Sequence, residues 1–138
     1  MTSEEKQFLR RLLDRASAPF RPAGPFAYHY ARGKLGGDPI FRELLRQGLL
    51  PSGGRFLDLG SGQGSLFAWL LAAGDLHRQG DWPVSWPAPP QPQTLRGVEL
   101  MARDVERACQ AFGAGHPVVR VEQGNMCTTD FGQVDVVT

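Results

Sequence analysis

Cysteine is nearly absent: Cys109 and Cys127 are the only two in 138 residues, and no CxxC pair accompanies them. That spacing excludes a disulfide framework and a zinc site, and both thiols are expected to be ordinary reduced side chains with no metal role. An excess of one charge is also missing, since 15 Lys and Arg stand among 14 Asp and Glu for a formal net charge of +1. So balanced a chain projects no long-range field, and nucleic acid is not indicated as a partner. Long hydrophobic runs are lacking too. The N-terminal MTSEEKQFLRRLLDR alternates charge with leucine, so neither a signal peptide nor a membrane span is expected, and the expected location is cytoplasmic. What remains is a 41% hydrophobic chain rich in glycine (17) and proline (11). Its length suits one globular domain with a sizeable core.

Thr2 and Glu5 have capping-box spacing, and Phe8, Leu9, Leu12, Leu13 and Ala16 form the apolar face of a first helix that ends before Pro19. The segment SAPFRPAGPF and the YHYARGKLGG that follows read as irregular. Asp38 then caps a helix with Pro39 at its first position and Ile40, Phe41, Leu44 and Leu45 on its inner face. Residues 1–50 thus read as a helical cap, and from residue 51 the pattern changes. Arg55 to Leu59 is a short buried strand, Gly60 to Gly64 a loop, and Ser65 to Ala73 an apolar helix with Trp69 in the core. Residues 75–94 contain a Pro- and Trp-rich stretch expected to be a mobile insertion or a docking segment. A second strand (Leu95 to Leu100), a helix (Met101 to Phe112, with Val105, Ala108, Cys109 and Phe112 inward), a third strand (Val118 to Glu122) and the start of a fourth (Val134 to Val137) follow. Strands alternating with helices predict an α/β fold, a Rossmann-like three-layer sandwich around a mainly parallel sheet.

In such a sheet ligands bind outside the carboxyl ends of the strands. The stretch FLDLGSGQG, residues 56–64, ends the first strand there. Glycine lets the chain turn sharply and lets a ligand approach bare backbone. A dinucleotide fingerprint, G-x-G-x-x-G/A, is nearly met by Gly60, Gly62 and Ser65. Asp58, two residues before the first glycine, would repel a pyrophosphate and favour a cationic ligand. Glu99, at the end of the second strand, has acceptors suited to both hydroxyls of a ribose, whichever nucleoside cofactor is bound.

An acid followed by G-x-G-x-G at the end of strand one resembles the first motif of the class I S-adenosylmethionine (SAM)-dependent methyltransferases, matched here by Asp58, Gly60, Gly62 and Gly64. The resemblance covers roughly residues 25–138, names no subfamily, and is carried mainly by that motif. It implies SAM as cofactor, S-adenosylhomocysteine as product and a small-molecule or macromolecular methyl acceptor. It also implies that Asp58, Gly60, Ser61, Gly62, Gly64, Glu99 and Leu100 line the cofactor. In QGNM, Asn125 and the Met126 amide would meet the adenine, although Gly-Asn is also an ordinary turn pair. Arg32 would pair with the methionine carboxylate, beside Tyr28, Tyr30 and Lys34. His77 and His116 fall at the other end of the sheet.

Two alternatives stay open: an NAD(P)-dependent oxidoreductase, and a nucleoside-binding or interaction module without catalysis. The family sheet has seven strands in the order 3-2-1-4-5-7-6, of which residues up to Thr138 supply four. The expectation is a chain truncated within the fold, or else completed by a partner or by self-association through an open sheet edge. The catalytic residues and the acceptor cannot be read from these residues.

Overall fold

The computed structural model describes residues Met1–Thr138, the side chain of Ala114 excepted. Five helices, α1 (Ser3–Ser17), α2 (Pro25–Gly37), α3 (Pro39–Arg46), α4 (Ser65–Arg78) and α5 (Ala102–Phe112), accompany four strands, β1 (Arg55–Leu59), β2 (Thr94–Glu99), β3 (Val119–Gln123) and β4 (Val136–Val137). All strand pairs are parallel and the sheet order is β3-β2-β1-β4. This is the α/β, Rossmann-like arrangement that the alternating pattern predicts. Among the described residues, no helix is long and apolar enough to cross a membrane.

The order places β1 at the centre, and its Phe56 and Leu57 are buried on opposite faces because strand side chains alternate. On the helix-covered face Phe56 pairs with Leu95, and Asp58 stands opposite Gly97. A Cβ on Gly97 would lie 2.5 Å from Ser61 Oγ and 3.1 Å from Phe67, so the missing side chain is what lets the loop and α4 close on β2. The opposite face carries Leu57, Val98 and Arg96. There the Arg96 guanidinium pairs with Glu122 and donates to the carbonyls of Phe131 (2.8 Å) and Asp130 (3.1 Å), tying down the segment between β3 and β4.

The capping box of α1 is present in both directions: Glu5 N–H donates to Thr2 Oγ1 at 3.1 Å, and Thr2 N–H to Glu5 Oε2 at 2.7 Å. Asp38 likewise accepts from Ile40 N–H at the start of α3. Four expectations change. The stretch read as irregular contains a 3-10 turn (Ala18–Ala23) and all of α2. Its glycines and aromatics weaken helix propensity, and packing of the Ala27, Ala31 and Leu35 stripe, with Pro25 at the first position, supplies what propensity lacks. Ile40, expected inward on α3, is 48% exposed, and Cys109, expected inward on α5, is exposed as well. α4 runs on to Arg78, past the point where the insertion was placed.

The fourth change concerns the Pro- and Trp-rich segment itself, which is packed. Trp86 is 5% exposed, meets Phe8 and Trp82 edge-on at 5.4 and 5.9 Å, and donates its indole N–H to Glu5 Oε1 at 2.8 Å. That bond is the main reason the Glu5 carboxyl sits below its ordinary pKa. Gln91 and Gln93 N–H groups donate to the carbonyls of Ser52 and Gly54, just before β1. Prolines pre-set the extended path, so the segment loses less entropy on ordering than its composition suggests. It lies at the amino ends of the strands.

Candidate functional site

The carboxyl ends of β1, β2 and β3 converge on the glycine loop. Gly60 N–H and Ser61 N–H both donate to the Val98 carbonyl, and Gly64 N–H closes on the Ser61 carbonyl. Gly60, Gly62 and Gly64 have φ of +71°, +58° and +86°, a region that side-chain-bearing residues adopt at a cost of about 1–2 kcal/mol. Two of these glycines then differ in purpose. A Cβ on Gly64 would lie 2.7 Å from Phe112 of α5, so that position is fixed by internal packing. A Cβ on Gly62 would meet no atom within 4 Å, so its bare face opens to whatever approaches from outside.

Glu99 does more than the sequence suggested. Its Oε1 accepts from Gly62 N–H at 3.0 Å and its Oε2 from Met101 N–H at 2.8 Å, so one carboxylate holds both the loop and the residue that precedes α5. A carboxylate has about four acceptor positions, which leaves capacity for two further donors. Asp58 is a second acid close by. Burial raises its pKa above the ordinary value, and Glu99 adds to the rise. A hydrogen bond from Thr138 Oγ1 (3.1 Å) and the Lys34 ammonium oppose it.

A cavity of about 330 Å³ adjoins the loop, lined by Gly60, Glu99, Leu100, Met101, Asn125 and Met126 among others. Leu100, Met101 and Met126 are 64%, 51% and 49% exposed, so they supply apolar edges that a planar group could cover. Asn125 Oδ1 accepts from Cys127 N–H at 2.8 Å, and its carbonyl accepts from Thr128 and Thr129. Asn125 therefore builds the turn and lines the cavity at once.

Two expected site residues are placed differently. Arg32 does not stand free over the loop: its guanidinium donates to Asp14 Oδ1 and Ser17 Oγ at 2.9 Å each. The cation near Asp58 is Lys34, two residues further along α2. The Ser61 side chain, 2% exposed, turns inward against β2, so only its backbone belongs to the loop surface. Sequence reasoning also missed Gln63. It is 2% exposed and donates from Nε2 to the Ala27 carbonyl at 2.9 Å, docking α2 on the loop. Ser61 Oγ, Gln63 Oε1 and Ser65 Oγ are buried without a hydrogen-bond partner among the described residues.

The geometry amounts to one carboxylate, Glu99, bonded to the loop backbone at the edge of the cavity, with the Asp58 carboxylate close enough for their charges to interact, at the carboxyl edge of a parallel sheet. No protein-family profile matches the chain, and a search of curated proteins returns no match.

Proposed function

We propose that this chain is a SAM-binding methyltransferase domain. The observation that carries the proposal is the nearness of Asp58 to Glu99, the carboxylate that holds the open-faced Gly62. Two acids at one ligand edge, with Lys34 the cation acting on Asp58, suit a ligand with positive charge and ribose hydroxyls, and oppose a pyrophosphate. That balance favours SAM over the nicotinamide dinucleotides.

The residues present fit the cofactor in kind. The bare face of Gly62 is open, with no atom within 4 Å of where a Cβ would stand, the spare acceptors of Glu99 suit two hydroxyl donors, and Leu100 and Met126 offer apolar edges to a base. When bound, SAM supplies a methyl group already activated on a positive sulfonium. The chain's own residues bind and orient. Glu99 fixes Gly62 by hydrogen bonding, Gln63 locks the loop to α2, and Asp58 provides negative charge close to the loop. Alignment of this kind supplies much of the rate in a displacement reaction, so a dedicated base is not required. The acceptor and its recognition belong to the same proposal.

The test is binding of S-adenosylhomocysteine by Asp58→Ala and Glu99→Gln. Each change removes hydrogen bonds to a charged acceptor worth about 1.5–3 kcal/mol, so affinity should fall at least about tenfold while the fold persists. Normal affinity in both variants would refute the assignment.

A further inference from the structure

β3 is an outer strand of the sheet, bonded to β2 on one side and open on the other. The bonds at the two ends of its ladder, Leu95 N–H to the Val118 carbonyl (2.8 Å) and Gly124 N–H to the Glu99 carbonyl (3.0 Å), are made by even-numbered positions of this segment. Backbone groups alternate in direction along a strand, so Val119, Val121 and Gln123 turn theirs toward the open edge. Val119 N–H is taken by the His116 carbonyl at 3.1 Å, and the N–H and C=O of Val121 stand at the middle of that edge. On the helix side, Val119 and Val121 are half-buried and line, with Ala108, Cys109 and Phe112, a cavity of about 320 Å³ beside the strand. On the other face the Arg120 side chain is 75% exposed, and Glu122 is held by Arg96 and reached by Arg120 at 3.3 Å.

Charges on an outer strand ordinarily keep other strands away. The order Val119-Arg120-Val121-Glu122-Gln123 is, however, its own complement. Laid antiparallel against a second copy about a two-fold axis through Val121, it sets Arg120 opposite Glu122 of that copy, and symmetry repeats the contact. The backbone agrees with this register. Val121 can exchange both hydrogen bonds with its equivalent, which leaves Arg120 and Glu122 at the non-hydrogen-bonded positions, where facing Cα atoms are about 4.5 Å apart and side chains meet most closely. A slip of two residues puts Arg120 opposite Arg120 or Glu122 opposite Glu122, and a slip of one turns the second copy's side chains to the wrong faces.

We propose that the β3 edge is the interface of a symmetric homodimer, in which β3 of one copy pairs antiparallel with β3 of another and makes the two four-stranded sheets continuous. The occupant is a second copy because charge order and outward backbone groups match in one register of the strand with itself. This edge is the one away from β4, and neither Asp58 nor Glu99 belongs to it, so the dimer does not depend on the cofactor assignment. A five-residue strand pair is a small interface, and the dimer is expected to form reversibly at micromolar concentrations.

The test is sedimentation equilibrium of the full chain over a micromolar to submillimolar series, with amide exchange at the two ends of that series. Wild type should pass from monomer to dimer. The Val121 amide should gain protection with concentration, while the Arg120 and Glu122 amides, which face β2, should not change. Arg120→Glu and Glu122→Lys each place like charges opposite one another and should weaken dimerisation at least about tenfold. An equimolar mixture of the two variants has opposite charges at both contacts and should dimerise about as well as wild type. Should Glu122→Lys fail to fold for want of its pair with Arg96, the Arg120→Glu loss and the Val121 protection decide. A monomer at every concentration, a dimer unaffected by Arg120→Glu, a Val121 amide without added protection, or a mixture of folded variants no better than either alone would each overturn the proposal.

Discussion

Replacing Gly62 and Gly64 one at a time by alanine separates the two reasons for glycine in the loop. Both have positive φ, which costs alanine about 1–2 kcal/mol. At Gly62 nothing else is added, because no atom lies within 4 Å of the new methyl. At Gly64 the methyl would stand 2.7 Å from Phe112 Cε2 and 3.3 Å from its Cζ. Phe112 is 5% exposed and meets Phe20 edge-on at 5.9 Å, so it has little room to yield. Overpacking of this kind adds about 1–3 kcal/mol, for a total of about 2–5. A chain of 138 residues has an unfolding entropy of roughly 0.29 kcal/mol/K, so each kcal/mol lowers Tm by about 3–4 °C. Calorimetric melting should thus show a fall of about 7–18 °C for Gly64→Ala and about 3–7 °C for Gly62→Ala. Binding should run the other way, with Gly62→Ala losing S-adenosylhomocysteine affinity and Gly64→Ala, at temperatures where it is folded, losing less. Phe112→Leu should recover part of the Gly64→Ala loss beyond additivity. Equal melting losses would refute the packing argument, and unchanged affinity in Gly62→Ala would refute the open face as the ligand side.

Three further perturbations address other parts of the structure. The Asp58 carboxyl has a raised pKa through burial, so the folded state holds its proton more tightly than the unfolded chain and the ionised form costs stability. Asp58→Asn should therefore melt higher than wild type at neutral pH and bind cofactor less well. The melting gain should close as pH falls toward the ordinary aspartate value of 3.8, and a wild type that is more stable than Asn at neutral pH would contradict this. Trp86→Ala should cost about 3–5 kcal/mol in denaturant unfolding, as removal of a buried aromatic does, whereas a mobile insertion would lose nothing. Arg96→Met should cost about 1–3 kcal/mol and speed amide exchange at Gly132 and its neighbours, since the Phe131 and Asp130 carbonyls lose their donor. Unchanged exchange would show that the segment is held by other means.

Much of the fold was legible because its signals are local. The capping box at Thr2, the Asp38-Pro39 helix start and the strand boundaries around Arg55–Leu59 follow from residues close in sequence. The parallel order follows from alternation of strand and helix. Helix α2 was missed because its glycines and aromatics point away from helix, and only the Ala27, Ala31, Leu35 spacing, read with Pro25, carried the opposite signal. The segment around Trp86 was misread because its prolines were taken as linker composition and its two tryptophans were not taken as anchors to the core. At the site, glycine spacing located the loop. The spacing could not say that Glu99 holds Gly62, that Gln63 docks α2, or that Asp14 and Ser17 occupy Arg32, since these bonds join residues far apart in the chain.

The central claim is that the acid-flanked loop selects SAM over a dinucleotide, and titration calorimetry with S-adenosylhomocysteine, NAD and NADP tests it most directly. The account predicts saturable binding of S-adenosylhomocysteine, weakened at least about tenfold by Asp58→Ala, with no comparable heat from either dinucleotide. Tighter binding of NAD or NADP, strengthened when Asp58 is removed, would contradict it.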